Sequence, residues 1–174
     1  MRINKGIESI LNRRSCRTYS NKKVKENVLE QIVQCGSMAP SAMNKQTASL
    51  LVITSLKMLN KLKRLSITIR GNDCFYGAKT MIVVYGNSQE KFVIQDGSCM
   101  MENLMVAASA LNVSSCWINQ LNDLLNTKQG MKIKEELGLQ ENDIVVGTCI
   151  VGYNSSDKEI LAKPRKENHI RYIK

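Results

Sequence analysis

The stretch from Asp96 to Leu111 constrains the chain more than any other. Met100, Leu104, Ala107, Ala108 and Leu111 keep the 3.6-residue spacing of a helix, and Met101 and Met105 widen the apolar stripe until little of the circumference is polar. A helix apolar nearly all round is expected at the centre of a fold, with other elements packed on several of its sides. Short continuous apolar runs stand around it in sequence: Ala48 to Thr54, Thr80 to Tyr85, and Ile144 to Val151. Runs of this length read as strands buried on both faces. Ser114 to Ile118 reads as a further short strand.

The remaining segments read as helices with recognisable ends. Ile3, Ile7, Ile10 and Leu11 share helical spacing, and Lys25 to Cys35 places Val28, Leu29, Ile32 and Val33 on one face, with Gly36 as the stop. Lys57 to Leu65 is expected to be helical and Gly71-Asn72-Asp73 to turn. Leu121 to Leu137 reads as mostly helical, closing at Gly138. The order of elements defines a layered α/β or α+β domain with helices laid against a largely buried sheet. Its 174 residues suffice for one domain with its own core, expected to span 1–174. The stretch 157–174 is too polar and basic for a core of its own, so it lies on the surface or reaches a partner subunit.

Charge and cysteine usage narrow the chemistry. Twenty-five basic residues against fifteen acidic ones give a net charge of +10, which suits an anionic partner: nucleic acid, a membrane surface or a phosphorylated small molecule. Aromatic residues make up only 5%, few for stacking on unpaired bases, and lysines also raise net charge by solvating a surface. The six cysteines form no Cys-x-x-Cys pair, so a zinc ribbon or thioredoxin-like motif is absent. With no apolar run in MRINKGIESILNRRS and no segment of membrane-spanning length, a cytoplasmic chain with reduced thiols is expected. His169 is the single histidine, which rules out a His-rich metal site within one chain. With one histidine near the end of the sequence, an enzyme of this kind is expected to rely on an organic cofactor.

Three local motifs carry chemistry. Arg13-Arg14-Ser15-Cys16-Arg17 offers three guanidiniums and a hydroxyl within five positions, a set that suits phosphate oxygens and equally a solvated helix end. Pro40-Ser41-Ala42-Met43-Asn44-Lys45-Gln46 places small and amide residues on a stiff loop, able to meet a polar ring edge or simply to turn. Lys163-Pro164-Arg165 sets two cations beside a proline: a second phosphate clamp or a basic tail. Trp117, the one tryptophan, reads first as a core aromatic. No Walker A or Gly-x-Gly-x-x-Gly pattern is present, and Asp96, Glu102 and Asp123 stand as isolated carboxylates.

The order of these motifs resembles the FMN-dependent nitroreductase family. A helix is followed by Arg-Arg-Ser-x-Arg, and Ala39-Pro40-Ser41-Ala42-x-Asn44-x-Gln46 precedes a buried strand. Asp96 then opens a helix carrying Asn103-Leu104 and Ala107-Ala108. Ala110-Leu111, Ser115-Cys116-Trp117-Ile118, Val151-Gly152-Tyr153 and Lys163-x-Arg165 follow in turn. The likeness runs from about Ile7 to Arg165.

The resemblance implies an α+β fold, a mixed sheet wrapped by helices, built as an intertwined homodimer with two FMN sites at the subunit interface. Arg13, Arg14, Ser15 and Arg17 would hold the phosphate and reach the ribityl or pyrimidine edge. Lys163 and Arg165 would complete the clamp. Pro40, Ser41, Ala42, Asn44 and Gln46 would approach the ring from the other subunit, and Cys116, Trp117 and Ile118 would lie along it mostly through backbone atoms. No side chain is implied as a catalytic acid, base or nucleophile, and no metal, because FMN accepts and returns hydride at N5. NADH or NADPH would be the donor, and a nitroaromatic, a quinone or a similar small molecule the acceptor, each using one open face in turn. Neither nucleic acid nor a membrane would be a partner. A phosphate monoester carries roughly −1.5 to −2 charges, which matches the excess of cations.

The chain departs from the family pattern at several positions. Thr47-Ala48 follow Gln46 where Pro-Trp is common, which would loosen that loop or reshape the dimer contact. Asn112, Ser114 and Asn119 stand where Gly is frequent, and Ala78-Lys79 where Ala-Pro is. Two other readings remain at this point: a flavin-binding protein of the same fold with little turnover, and a small basic nucleic-acid-binding protein.

Overall fold

The computed structural model describes residues 4–174; Ile3, the first residue of the first expected helix, lies outside them. Four strands form one sheet in the order β1-β2-β4-β3, with β1 at Ser49–Ile53, β2 at Thr80–Asn87, β3 at Ser114–Ile118 and β4 at Asp143–Gly152. All three strand pairs are antiparallel. The parallel component among the described residues is an isolated bridge between Ser15 and Ser115.

The period-two alternation of β2 divides the interior. Met81 and Val83 face a core built with Leu59, Leu62 and Leu65 of α3 (Leu56–Arg70) and Leu121, Leu124 and Leu125 of α5 (Gln120–Leu125), closed at one end by α6 (Met131–Glu136). Ile82 and Val84 face the opposite core, where Ile32 of α2 (Glu26–Ser37) meets Met101, Leu104, Met105 and Ala108 of α4 (Val93–Ala110). As expected of its composition, α4 lies between the sheet on one side and α2 and α1 (Lys5–Asn12) on others. Met101, Leu104 and Ala108 are fully removed from solvent. Each fully buried leucine or methionine contributes about 1.5–3 kcal/mol relative to exposure. Local signals set the helix ends: the Asn4 side chain accepts from the Gly6 N–H at 2.8 Å, and α3 stops at Gly71 in the left-handed region, φ 78°.

Three expectations need correction. Gly36 does not end α2, which continues to Ser37; the residue is glycine because a Cβ there would lie 2.5 Å from Leu104 Cδ2. The expected helix from Leu121 to Leu137 is broken into α5 and α6. Thr127 Oγ1 donates to the Leu124 carbonyl at 2.7 Å and accepts the Gly130 N–H at 3.0 Å, replacing helical hydrogen bonds with side-chain ones. β1 is not buried on both faces: Val52 is 38% exposed, because β1 is an edge strand that pairs only with β2 among the described residues.

Candidate active site

The basic loop is tied to the sheet rather than left as a helix end. Arg13 caps α1 through its N–H to the Ser9 carbonyl at 3.1 Å. The chain then runs beside β3 and the end of β4. Cys16 N–H donates to Ser115 O and Ser20 N–H to Tyr153 O, both at 2.9 Å. The Tyr19 hydroxyl donates to the Cys16 carbonyl at 3.0 Å and Thr18 Oγ1 to Asn154 Oδ1 at 2.7 Å. Burial pushes the Tyr19 phenol far above its ordinary value, so it stays a neutral donor.

Between α1, the end of α4 and β3 lies an open cleft of about 790 Å³, the size range of small-molecule sites. Arg13, Arg14, Ser114, Ser115 and Asn154 line it. Arg14 turns one guanidinium nitrogen to the Leu11 and Arg13 carbonyls, at 2.6 and 2.7 Å, which neutralises the C-terminal end of α1. Arg13 Nε lies 3.9 Å from Glu102 Oε1 of α4. Beyond its bridge at Ser115, the outer edge of β3 pairs with no strand among the described residues, so backbone donors and acceptors stand open there. Cys116 and Ile118 point into the α3/α5 core and Trp117 toward the α2/α4 core, with its indole N–H donated to Asn119 Oδ1 at 2.5 Å. The Cys116 and Ile118 side chains are buried there, and Trp117 is half-buried.

The thiols near the cleft are packing groups. Burial pushes Cys149 up to about 12, and it pushes Cys116 up as well, against the pull of the Arg17 guanidinium and a hydrogen bond from Ser15. Both stay protonated at neutral pH, and a thiol is a poor nucleophile in that state. All six cysteines are free.

The second constellation is the loop after α2. Met43, Asn44 and Gln46 have φ of 54°, 55° and 52°, a region that costs a non-glycine residue on the order of 1 kcal/mol or more. Asp96, 4% exposed, holds the loop from the first turns of α4. Its Oδ1 accepts the Ala42 N–H at 2.9 Å and its Oδ2 the Thr47 hydroxyl at 2.7 Å. Burial raises this carboxyl, and the hydrogen bonds from Ala42 and from the hydroxyl and backbone of Thr47 outweigh it. Asp96 therefore sits below the ordinary carboxylate value. Ser41 Oγ accepts the Gln46 N–H at 3.0 Å, and Gln46 Nε2 donates to Asn44 Oδ1 at 3.2 Å. The Ser41 hydroxyl proton and the Asn44 amide N–H groups remain as donors.

The structure thus brings Arg13, Arg14 and Ser15 to the start of β3, with Ser15 bridged to Ser115; Arg13 and Arg14 line the cleft, whereas Ser15, Arg17, Cys116, Trp117 and Ile118 do not. Arg17 is exposed on the same loop. Pro40, Ser41, Ala42, Asn44 and Gln46 form a separate group, and none of them lines the cleft. Lys163 and Arg165 are exposed and do not line it either; the tail reaches it through Glu159 and Ile160. Sequence reasoning missed Asn154, which carries no motif, and the grip of Asp96 on Thr47, which joins residues 49 positions apart. Asn112, where the family pattern has glycine, has a φ of 55°, a left-handed conformation that asparagine tolerates better than most residues.

Known proteins share this fold. The model of the Nitroreductase family matches residues 10–69 and 68–153. A nitroreductase from Bacteroides fragilis, solved with bound FMN, superposes with a TM-score of 0.91 at 28% identity, covering 99% of this chain and 100% of that one. A relative from Archaeoglobus fulgidus, named for NADH dehydrogenase and NAD(P)H nitroreductase activity, is 29% identical over 159 residues, 88% of this chain and 87% of its own. The NADPH-flavin oxidoreductase of Vibrio harveyi is 23% identical over 185 residues, covering 97% of this chain and 72% of that one. The fold and site therefore define an α+β oxidoreductase domain of the flavin-dependent kind. The chain belongs to the Nitroreductase family.

Proposed function

We propose that this chain is an FMN-dependent oxidoreductase that takes reducing equivalents from NADH or NADPH and passes them to a nitroaromatic, a quinone or a similar small acceptor. The observation that carries the reading is the cleft itself, where Arg13 and Arg14 stand beside the open backbone edge of β3. The residues fit the cofactor: the guanidiniums and Ser15 suit a phosphate, and the unpaired backbone edge of β3 would suit the polar atoms of a flavin ring. When bound, FMN supplies the two-electron carrier between donor and acceptor. The protein's task is to bind, orient and leave one face open, so that donor and acceptor occupy the same place in turn.

The site is completed by a second copy of the chain. Three observations support a homodimer. The loop bearing Ser41 and Asn44 does not line the cleft of its own chain. Ile7, Ile10 and Leu11 leave the apolar face of α1 53–57% exposed. The tail from 157 to 174, with Lys163 and Arg165, is exposed with no packing of its own. In the dimer, Lys163 and Arg165 of the tail close on the phosphate and the loop meets the ring. Free thiols suit a reducing cytoplasm, and no helix among the described residues is long and apolar enough to cross a membrane.

Anaerobic titration of the FMN-loaded protein with NADH and with NADPH, followed by a panel of acceptors, tests the proposal. Bleaching of the flavin absorbance by one nicotinamide and its return on adding an acceptor are expected. A yellow protein that neither nicotinamide bleaches would be a flavin binder without turnover, and a protein that takes up no FMN would overturn the reading.

A further inference from the structure

We propose that Asp96 and Thr47 together are positioning residues of the flavin site, holding the loop 41–46 in the form that presents Ser41 and Asn44 to the ring. The inference rests on the function proposed above. Asp96 uses both carboxylate oxygens on the loop, one on the Ala42 N–H and one on the Thr47 hydroxyl. These two contacts bracket the segment that contains the left-handed residues Met43, Asn44 and Gln46. A loop with three such residues relaxes unless something outside it holds both ends. The other fixed point is β2: a Cβ on Gly86 would fall 2.3 Å from the Thr47 carbonyl, so the loop is seated directly on the strand backbone. Inside this frame Ser41 Oγ and Asn44 Oδ1 each accept a hydrogen bond from Gln46, which leaves the Ser41 hydroxyl proton and the Asn44 amide N–H groups as donors. Two such donors on a held loop are what the carbonyl oxygens of a flavin pyrimidine ring would accept. Thr47 therefore does the reverse of loosening the loop.

The arrangement predicts a signature that a general loss of stability would not give. Thr47→Val keeps the shape of the side chain and removes the hydroxyl, whereas Thr47→Ser keeps the hydroxyl. A hydrogen bond to a charged group is large enough that Thr47→Val should weaken flavin binding by about tenfold to a hundredfold. Because the loop meets the ring and not the phosphate, FMN and riboflavin should lose affinity by the same factor. Thr47→Ser should bind both like the wild type. Asp96→Ala should fall at least as far as Thr47→Val, and the double variant no further than Asp96→Ala, since loss of the carboxylate already removes the Thr47 contact. Dissociation constants from flavin fluorescence on the refolded apoprotein, with thermal unfolding measured in parallel, decide the matter. Wild-type affinity in Thr47→Val, or a loss confined to FMN, would overturn the proposal while leaving the flavin function standing. Failure of the wild-type protein to bind FMN would instead remove the function on which it rests.

Discussion

The amide of Cys16 donates to the carbonyl of Ser115 at 2.9 Å, with Ser15 beside Ser115 in a parallel bridge. The basic loop is therefore laid along β3, and its charges are fixed relative to the open strand edge. A solvated helix end would place the same guanidiniums at no defined distance from anything. The bridge sets a local cluster of cations beside one wall of the cleft, which Arg13 and Arg14 line.

The first prediction concerns that cluster. Arg13→Ala and Arg165→Ala should each weaken FMN affinity by about ten- to a hundredfold, from a charge-assisted bond of about 1.5–3 kcal/mol. Riboflavin, which lacks the phosphate, should be bound poorly by the wild type and should hardly respond to either change. Equal losses for both flavins would mean misfolding or ring contacts rather than a phosphate clamp.

A second prediction follows from the division of the site. Sedimentation at micromolar concentration should give about twice 19.6 kDa, with an interface in the size range of obligate dimers. Ile10→Glu on the uncovered face of α1 should shift the equilibrium to monomer and release FMN with it. A monomer that keeps FMN tightly bound would show the site to be complete in one chain.

Cys149 gives a prediction in pH. Its folded-state value is pushed up to about 12 by burial, with Cys116 beside it adding to the rise, against about 8.5 for a free thiol. The folded state holds this proton more tightly than the unfolded state. The contribution is fully present below the free-thiol value and is lost as pH rises from there toward the folded value, by about 1.4 kcal/mol per pH unit. Denaturant unfolding between pH 8 and 10.5 should show a steeper loss of stability in the wild type than in Cys149→Ala. Equal slopes would mean that the thiol ionises as easily folded as unfolded.

Gly36→Ala tests the packing of α2 on α4. Alanine is the better helix former by about 1 kcal/mol, yet its Cβ would meet Leu104 Cγ at 2.7 Å and Cδ2 at 2.5 Å, and Leu104 is fully buried. Overpacking of this kind costs about 1–3 kcal/mol, so net destabilisation in urea is expected. A more stable variant would show that Leu104 has room to move.

Much of the fold was legible because it depends on short-range periodicity. The apolar circumference of α4, the bounds of β3 and the continuous apolar run of β2 are properties of neighbouring residues, and they predict the elements without knowledge of their partners. The order of Arg13-Arg14-Ser15-x-Arg17, Pro40-Ser41 and Trp117 likewise pointed to a family, since motif order survives in the linear chain. What depended on contacts between distant residues was not legible. Gly36 reads as a helix stop because the sequence does not display Leu104 above it; the neighbouring hydrogen bond, from Asn103 Nδ2 to the Cys35 carbonyl, joins residues 68 positions apart. β1 read as buried because its composition says apolar, while its place at the sheet edge is a matter of topology. Thr47 read as a defect in the loop until Asp96 was seen to accept its hydroxyl. Composition and spacing determine which segments must bury a face; the tertiary structure alone decides what each face meets, because burial is non-directional while hydrogen bonds and close packing require a particular partner at a particular distance.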